Sequence, residues 1–415
     1  MEKLAINGGP KAIPQPLPSF RDKSGRSIGR EEMNQLNEVI DSGSLSFIVG
    51  NKTALFERAF AEFLGMRHAV AVSSGTAALH AAVIYVNPEP GDEFIVTPIT
   101  DMGSIIPVLA QLAIPVFADI DPETQNMDPA KLEQCISPRT RAIIVTHIFG
   151  NPAPMDEIMA IARKHGLFVI EDCAQAQMAT YKGRFCGTIG DLGCFSFQQS
   201  KHMTTGDGGM VVSNDDKRFG RKLSQCGDKG WPRDKGGRDH LFLAPNYHMT
   251  ELQAAVGLAQ LTKLPAMANA RIAMANRLSE LLSAVDVQPM RILPDCVGTY
   301  FFYSFRLNEQ GLTVPIPQIV KSMQAEGIDG FLGYPGPIPI YKYPVIRDRL
   351  TFGTSGIPFT LPQARRTWDY SQAICPVAET ACKETVCLWW NEGLADAHIG
   401  RIAAAIEKVV TAFAH

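Results

Sequence analysis

The sequence lacks the closely spaced cysteines that metal-binding and disulfide-stapled folds require. Its nine cysteines are spread from Cys135 to Cys387, and no two of them are separated by only two residues. An odd number of dispersed cysteines in a long chain is not a disulfide framework, so reduced thiols and a cytoplasmic location are expected. The nine histidines show no metal-ligand spacing either, and we expect no metal.

An excess of charge of one sign and a long hydrophobic run are also missing. The chain has 415 residues, with 39 Lys and Arg against 42 Asp and Glu, and a formal net charge of −3. Without a basic excess to displace counterions from phosphates, no nucleic-acid partner is expected. The most apolar stretch, residues 68–86, is interrupted by Ser73-Ser74-Gly75-Thr76, which predicts a strand, a turn and a helix and no membrane span. The first ten residues lack the apolar core of a signal peptide, so we expect a soluble protein.

Short β-branched runs alternate with longer helical segments from about residue 68 onward. This alternation predicts an α/β fold with a mostly parallel sheet. Near residue 250 the pattern changes to a long helical stretch, which we predict to break at Pro265 and to resume as far as about Leu282. We predict three units: an N-terminal arm over residues 1–25, a large α/β domain over 26–265 and a smaller α+β domain over 266–415.

A run of small residues, Ser73-Ser74-Gly75-Thr76, joins the predicted strand at 69–72 to the predicted helix at 76–85. Backbone N–H groups at a helix N-terminus have no acceptor within the helix, and Thr76 adds a hydroxyl. The turn could therefore bind an anion such as phosphate. Taken alone, it is better explained as a capped strand-to-helix turn.

Asp172 follows the apolar run Leu167-Phe168-Val169-Ile170, and Gln175 comes three residues later. Ligands of open α/β sheets bind beyond the carboxyl ends of the strands, so an acid at this place could pair with a cationic ring nitrogen. For a lone aspartate, capping of the next helix is the more frequent role.

Lys201 lies between the run Phe195-Ser196-Phe197 and the glycine-rich run Gly206-Asp207-Gly208-Gly209. A lysine in a polar loop between two apolar strands can form a Schiff base with an aldehyde cofactor if burial or neighbouring charge makes it lose its proton easily. Taken alone, it is better explained as a surface lysine beside a turn.

In combination, the three clusters favour one ligand. A phosphate-binding turn, an acid for a pyridinium nitrogen and a Schiff-base lysine, in this order, are what pyridoxal 5′-phosphate needs. Asp172 and Lys201 are 29 residues apart, which leaves room for an excursion and a return strand to the same crevice. Ser196, five residues before the lysine, could reach the phosphate from the sheet side.

Several longer motifs resemble the sugar and cyclitol aminotransferases of the DegT–StrS type, which are fold-type-I pyridoxal phosphate enzymes. They occur in the family's order from the opening Asn7-Gly8-Gly9-Pro10-Lys11 onward: Ser74 to Leu79, His147 to Pro152, Glu171 to Ala176, Phe195 to Lys201, Asn246 to Ala255 and Cys375 to Glu379. The resemblance implies a large domain on a mostly parallel seven-stranded sheet, followed by a smaller α+β C-terminal domain.

The resemblance also implies roles for individual residues. Lys201 would form the Schiff base and move protons, and Asp172 would keep the pyridine nitrogen protonated. Gln175 would lie against the ring near its 3-hydroxyl. Asn246 would reach the phosphate site of a neighbouring subunit, which makes a homodimer the smallest active unit. The cofactor's phosphate would be bound by a set of small residues, Ser74, Gly75, Thr76 and Ser196.

Two positions depart from the family pattern. After its threonine, here Thr100, the family usually has an aromatic residue that stacks on the cofactor ring, but this chain has Asp101 and Met102. Met102 could cover the ring instead, and Asp101 could bind substrate hydroxyls or an amine; an alignment shift of one or two residues is the alternative. Tyr341 replaces a histidine of many relatives. Both positions lie where substrate specificity is normally set.

Two further segments have simpler interpretations. The stretch from Gly227 to His240, rich in charge and glycine, is expected to form a loop. Trp389-Trp390 is expected to pack in the small domain or to form a substrate wall.

The resulting hypothesis is a pyridoxal phosphate-dependent aminotransferase that moves an amino group from glutamine or glutamate to a keto-sugar or keto-cyclitol. The motifs favour the inosose branch, which aminates cyclitols for aminoglycosides, and a nucleotide-linked keto-sugar is the next alternative.

A sugar dehydratase is the second class of function. Sugar dehydratases of this family typically carry histidine in place of the Schiff-base lysine, and here His202 adjoins Lys201. A regulatory homologue without catalysis is the third class. The unusual Asp101 favours it, and the retained Asp172, Ser196 and Lys201 oppose it.

Overall fold

The computed structural model describes residues 2–218, 221–235, 237, 239–364 and 369–415. Within these ranges the α-helices are α1 Arg30–Ser42, α2 Lys52–Leu64, α3 Gly75–Val86, α4 Ile106–Ala110, α5 Pro129–Leu132, α6 Met155–His165, α7 Leu223–Cys226, α8 Glu251–Leu281, α9 Ile316–Ala325, α10 Pro344–Arg347, α11 Pro376–Glu384 and α12 Asp396–Phe413. The strands are β1 His68–Val72, β2 Glu93–Val96, β3 Ile114–Phe117, β4 Thr140–Thr146, β5 Phe168–Asp172, β6 Thr180–Tyr181, β7 Arg184–Phe185, β8 Leu192–Ser196, β9 Gly209–Ser213, β10 Lys217–Arg218, β11 Arg221–Lys222, β12 Gln288–Pro289, β13 Cys296–Val297, β14 Phe302–Arg306, β15 Gly330–Leu332 and β16 Thr385–Trp389. The predicted loop over residues 227–240 contains the 3₁₀ helix Arg233–Lys235, and its residues 236 and 238 lie outside the described ranges.

The large domain is built on a seven-stranded sheet in the order β1-β9-β8-β5-β4-β2-β3. Neighbouring strands from β8 to β3 are parallel, and β9 runs antiparallel to both β1 and β8. The central strands are buried on both faces, as in β2, where every residue is buried. Burial on both faces is the reason why these strands appear in the sequence as continuous apolar runs. The predicted α/β fold with a mostly parallel seven-stranded sheet is confirmed.

The strand register brings five strands together at one edge of the sheet, namely the carboxyl ends of β1, β4, β5 and β8 and the start of β9. Thr146 at the end of β4 is paired with Asp172 at the end of β5, and Asp172 is in turn paired with Cys194 of β8. Gly209, the first residue of β9, is paired with Ser196 on one side and with Val72 at the end of β1 on the other. The three candidate clusters are therefore brought to the same edge.

The small domain contains a four-stranded antiparallel sheet in the order β12-β14-β16-β15. Helices α9 and α12 supply much of its apolar core, to which Leu4 and Ile13 of the predicted N-terminal arm also belong. The arm is held further by Glu326, whose carboxylate accepts hydrogen bonds from the backbone N–H groups of Ala5 and Ala12. The first residues of the chain are thus packed on its C-terminal domain.

The predicted break at Pro265 is wrong, because α8 continues through that residue without interruption. The helix begins at a capping box in which the Thr250 and Gln253 side chains bind each other's backbone N–H. A proline inside a helix removes one backbone donor, and buried apolar residues on both sides, such as Leu264 and Met267, hold this helix in place. The domain boundary that we propose near residue 265 therefore falls inside a shared helix. In the described part of the chain, no helix is long and apolar enough to cross a membrane.

Two helical glycines provide a matched test of the packing between α2 and α8. A Cβ added to Gly257 would lie 2.7 Å from Phe56 Cζ, whereas a Cβ added to Gly400 in α12 would meet nothing within 4 Å. We expect Gly257→Ala to lower the free energy of unfolding by about 1–3 kcal/mol through overpacking. Gly400→Ala should raise it by about 0.5–1 kcal/mol through helix propensity.

Thermal unfolding of the two variants beside the wild type measures these effects. The Phe56 ring is fully buried and packs on Phe60 and Phe197, so it has little room to move away from a new methyl group. A Gly257→Ala variant as stable as Gly400→Ala would contradict the described helix contact.

Candidate active site

A cavity of about 750 Å³ opens at the carboxyl edge of the main sheet, between the two domains. Eight of the ten sequence-predicted cofactor residues line it: Ser74, Gly75, Thr76, Asp101, Asp172, Gln175, Ser196 and Lys201. The remaining two, Met102 and Asn246, are not among its lining residues. The structure thus brings together groups that are spread over more than a hundred positions of the sequence.

The first wall of the cavity is the N-terminus of α3. Ser74 caps this helix, since its Oγ accepts a hydrogen bond from Ala77 N at 3.0 Å. The other N–H groups of the first turn have no acceptor within the helix and are available to an anion. A Cβ on Gly75 would lie 2.6 Å from Ser196 Cβ, so only glycine allows the helix to begin this close to β8.

The alternation of side chains along β8 explains why Ser196 faces the cavity. Its neighbours Phe195 and Phe197 point to the opposite face, where they pack with Phe56 and Phe60 of α2. Ser196 therefore presents its hydroxyl beside Gly75, at the helix N-terminus. A hydroxyl next to unpaired backbone N–H groups is a suitable site for a phosphate.

Asp172 ends β5 and is held by two hydrogen bonds. Its Oδ2 accepts from Ser104 Oγ at 2.7 Å, and its Oδ1 accepts from Ala174 N at 3.0 Å. Ser104 is in turn hydrogen-bonded to Thr100 Oγ1, which also contacts Thr146 Oγ1. Burial raises the pKa of Asp172, and the hydrogen bond from Ser104 opposes this rise. A buried carboxylate of this kind would be stabilised by a cationic partner in the cavity.

Lys201 lies in the loop between β8 and β9, with Nζ at 4.0 Å from the centroid of the Phe301 ring. Burial lowers the pKa of its amine to about 8, although the Asp172 and Asp101 carboxylates act in the opposite direction. With this pKa, about one tenth of the amine is unprotonated at pH 7 and about half at pH 8, which gives the neutral form that a nucleophilic lysine requires. The simpler interpretation, a solvated surface lysine, does not fit this environment.

Gln175 connects the two domains across the cavity. Its Oε1 accepts a hydrogen bond from Phe149 N at 2.8 Å, and its Nε2 donates to Tyr334 Oη at 2.9 Å. Tyr334 belongs to an aromatic wall that the sequence analysis recognised only at Trp389. The wall is contributed by the small domain and comprises Phe301, Phe302, Phe331, Tyr334 and Trp389. Trp390 is buried in the small-domain core. Of the two roles predicted for this pair, Trp390 therefore has the packing role and Trp389 forms part of the cavity wall.

The departures from the family pattern occupy different environments. Asp101 lines the cavity, while Met102 packs against the core of the large domain. Tyr341 is fully buried and donates a hydrogen bond to Glu379, so it does not reach the cavity. Asn246 lies outside the cavity of its own chain, beside Asp228, with which it forms an isolated β-bridge.

His202 is directed away from the cavity. Its Nε2 is 2.9 Å from the carbonyl oxygen of Thr299, and burial holds the pKa of its imidazole well below the ordinary value. It is not among the residues that line the cavity. The histidine that kept a dehydratase reading open is therefore separated from the reacting groups.

His147, Glu171 and Cys173 are buried and bring potential metal ligands within 4.8 Å of one another, and none of the three lines the cavity. Both His147 nitrogens are already engaged, one by Glu171 and the other by the N–H of Ala153. Glu171 also accepts hydrogen bonds from the backbone N–H groups of Gly187, Ile189 and Gly190. These satisfied contacts give the cluster a structural role in holding β5 in place.

The environment of Lys201 predicts the pH at which it becomes reactive. Reaction with a small aldehyde, followed by borohydride reduction and peptide mass spectrometry, should give half-maximal labelling near pH 8, because the unprotonated amine is the nucleophile. In Asp172→Asn the midpoint should move to lower pH, since a carboxylate that raises the pKa is removed. A midpoint near the ordinary lysine value, about 10.4, would contradict the described burial.

Comparison with known proteins assigns the chain to a family. Residues 26–407 match the model of the DegT/DnrJ/EryC1/StrS aminotransferase family. The GDP-perosamine synthase of Caulobacter vibrioides is 34% identical over 398 residues, which cover 95% of this chain and 99% of that protein. A putative L-glutamine:3-amino-2,3-dideoxy-scyllo-inosose aminotransferase of Streptoalloteichus tenebrarius is 35% identical over 392 residues, 88% of this chain and 90% of that protein.

A solved structure supports the same assignment. The aminotransferase from Psychrobacter cryohalolentis superposes with a TM-score of 0.82 at 29% identity, over 94% of this chain and 98% of that chain. The resemblance drawn from the motifs and the predicted enzyme class, an aminotransferase, are confirmed. The chain belongs to the DegT/DnrJ/EryC1/StrS aminotransferase family.

Proposed function

We propose that the protein transfers an amino group from glutamine or glutamate to the ketone of a cyclitol or sugar, with pyridoxal 5′-phosphate as its cofactor. The observation that carries this proposal is the strand register, which places Asp172, Lys201 and the N-terminus of α3 around one cavity. These groups are complementary to the three ends of the cofactor, namely its ring nitrogen, its aldehyde and its phosphate.

The residues around the cavity fit the cofactor. The close approach of Gly75 to Ser196 leaves backbone N–H groups and a hydroxyl at the phosphate end, and Thr76 adds a second hydroxyl. Asp172, hydrogen-bonded to Ser104, would hold a proton on the ring nitrogen, and Gln175 lines the same cavity with both of its polar atoms engaged. When bound, pyridoxal phosphate supplies an aldehyde for covalent attachment and a cationic ring that accepts electrons.

Lys201 performs two tasks in this proposal. Its Nζ would hold the cofactor through the aldehyde and would be freed when the amine of an amino acid takes its place. The free Lys201 amine, whose pKa burial lowers to about 8 in the structure described, would then accept or donate a proton at the reacting carbon. The ring of Phe301 lies against this amine and limits its contact with water.

The family relationship and the surface around Asn246 support a homodimer with shared active sites. Leu243, three residues before Asn246, is 90% exposed, and Leu241 is also exposed. A second copy of the chain would cover these apolar side chains and would bring Asn246 to the partner's phosphate site. The same placement explains why Asn246 does not line the cavity of its own chain.

A ketone of the inosose type is the first acceptor to test, and a nucleotide-linked keto-sugar is the second. The relative from Streptoalloteichus tenebrarius bears the name of an inosose aminotransferase, which supports a role in aminoglycoside formation. The relative from Caulobacter vibrioides bears the name of a synthase of a GDP-linked amino sugar, which supports the second. A dehydratase is disfavoured because Lys201 is present and His202 is directed away from the cavity.

The first half of the reaction can be followed by the absorbance of the bound cofactor. We expect the visible band of pyridoxal phosphate on the protein to disappear when L-glutamine or L-glutamate is added and an ultraviolet band of the aminated cofactor to replace it. Lys201→Ala should lack the initial visible band of the lysine-bound form. Persistence of that band in Lys201→Ala would refute the assigned lysine.

Shared active sites predict complementation between two inactive variants. A mixed dimer of Lys201→Ala and Asn246→Ala contains one site with both native residues, so an equal mixture should regain about one quarter of the wild-type activity after subunit exchange. Each variant alone should stay inactive under the same treatment. If Asn246 serves the site of its own chain, no mixed dimer has an intact site and mixing restores nothing.

A further inference from the structure

The charges that line the cavity are unevenly distributed. Among the described residues, the charged side chains that line it are Asp101, Asp172, Lys201 and Asp207. In the proposed function Asp172 pairs with the cationic ring and Lys201 reacts with the aldehyde. The charges left to face a substrate are then the carboxylates of Asp101 and Asp207, and no arginine or histidine of the described chain lines the cavity with them.

A short backbone turn holds the Asp101 carboxylate in the cavity. Its Oδ1 accepts a hydrogen bond from Gly103 N at 2.8 Å, which caps the 3₁₀ helix Met102–Ser104. A Cβ on Gly103 would lie 3.1 Å from this oxygen and 2.9 Å from Thr76 Oγ1, so the carboxylate stands beside the phosphate-binding turn. Its second oxygen, Oδ2, has no hydrogen-bond or ion-pair partner within the described ranges.

The charge of Asp101 acts on the groups at the centre of the site. Burial lowers the pKa of Lys201, and the carboxylates of Asp172 and Asp101 oppose that change. Burial raises the pKa of Tyr334, and the Asp101 carboxylate raises it further. A negative group on a substrate bound between these residues would therefore be repelled by the same carboxylate.

We propose that Asp101 is a specificity-determining residue that disfavours substrates with an additional negative charge and so selects glutamine over glutamate as the amino donor. This inference rests on the proposed function. The two amino acids have nearly the same shape, so the site can separate them only by charge and hydrogen bonding. The side-chain amide of glutamine can donate a hydrogen bond to Asp101 Oδ2, whereas the carboxylate of glutamate cannot.

The Asp101 carboxylate also affects which acceptor substrate the cavity favours. Hydroxyl groups and a protonated amine donate hydrogen bonds to a carboxylate, and a nucleoside diphosphate carries negative charge towards it. Within the two acceptor classes of the proposed function, the charge of the cavity therefore favours a ring ketone with hydroxyl or ammonium groups.

The experiment removes the charge of the protein side chain with Asp101→Asn and the side-chain charge of the donor by replacing glutamate with glutamine. Neither change alters the shape of the side chain much. Wild type and Asp101→Asn are each reacted with L-glutamine and L-glutamate, and the rate of loss of the bound-cofactor band is measured as a function of donor concentration. An asparagine at position 101 can still accept the hydrogen bond from Gly103 N, so the turn is preserved. We expect the preference of the wild type for glutamine to fall by about three- to thirtyfold in Asp101→Asn.

Asp128→Asn is the matched control. Asp128 caps α5 by accepting a hydrogen bond from Ala130 N at 2.9 Å, which is the same contact made outside the cavity. Its substitution should leave the donor preference unchanged. Added salt should weaken the preference of the wild type and have little effect on that of Asp101→Asn, because only a charge–charge contact is screened.

Binding provides a readout that does not depend on turnover. The α-methyl derivatives of glutamine and glutamate lack the proton that must be removed, so calorimetry can measure their dissociation constants with each protein. If the wild type converts neither donor but binds the neutral derivative more tightly, and Asp101→Asn abolishes that difference, the donor assignment fails and this inference stands. If Asp101→Asn keeps the preference of the wild type in rate and binding, the inference is overturned.

Discussion

Two opposite charges, the buried Asp172 carboxylate and the half-buried Lys201 amine, lie in the same cavity. Burying an ion costs several kcal/mol unless hydrogen bonds and an opposite charge compensate for the lost hydration. Asp172 receives hydrogen bonds from Ser104 and Ala174, and it also acts on Lys201 by raising its pKa. The positions of both residues depend on the register of β4, β5, β8 and β9. A change in the pairing of these strands would therefore also change the distances between the charged groups of the site.

This constraint also explains which parts of the protein the sequence could predict. The alternation of apolar runs and helical segments is a local signal, and it predicted the main sheet, the helix after Thr76 and the approximate place of Asp172 and Lys201. The antiparallel direction of β9 was not predicted, because the run Met210-Val211-Val212 is equally apolar in either direction. The unbroken passage of α8 through Pro265 was missed because packing on both sides of the helix outweighs the local preference.

The aromatic wall shows a different limit of sequence analysis. The aromatic residues of the wall come from three separate segments of the small domain, at positions 301–302, 331–334 and 389, and these segments have no common spacing that marks them as a site. They face the cavity only because the small-domain sheet lies against the carboxyl edge of the main sheet. The contact between Gln175 and Tyr334 belongs to the same class, since its two residues are 159 positions apart. Such contacts become visible only when the tertiary fold is known.

The helix shared by the two domains has a consequence for how this chain could be recombined. Helix α8 contributes Ala254 and Leu261 to the core of the large domain, and Ala275 and Leu278 to that of the small domain. In a chimera of two related chains joined within α8, this one helix would have to fit the cores of both domains. Its buried residues would have to keep their positions around the helix axis on both sides of the junction. Because the small-domain core also contains Leu4 and Ile13 of the N-terminal arm, a stretch exchanged after α8 has to fit both this helix and the arm.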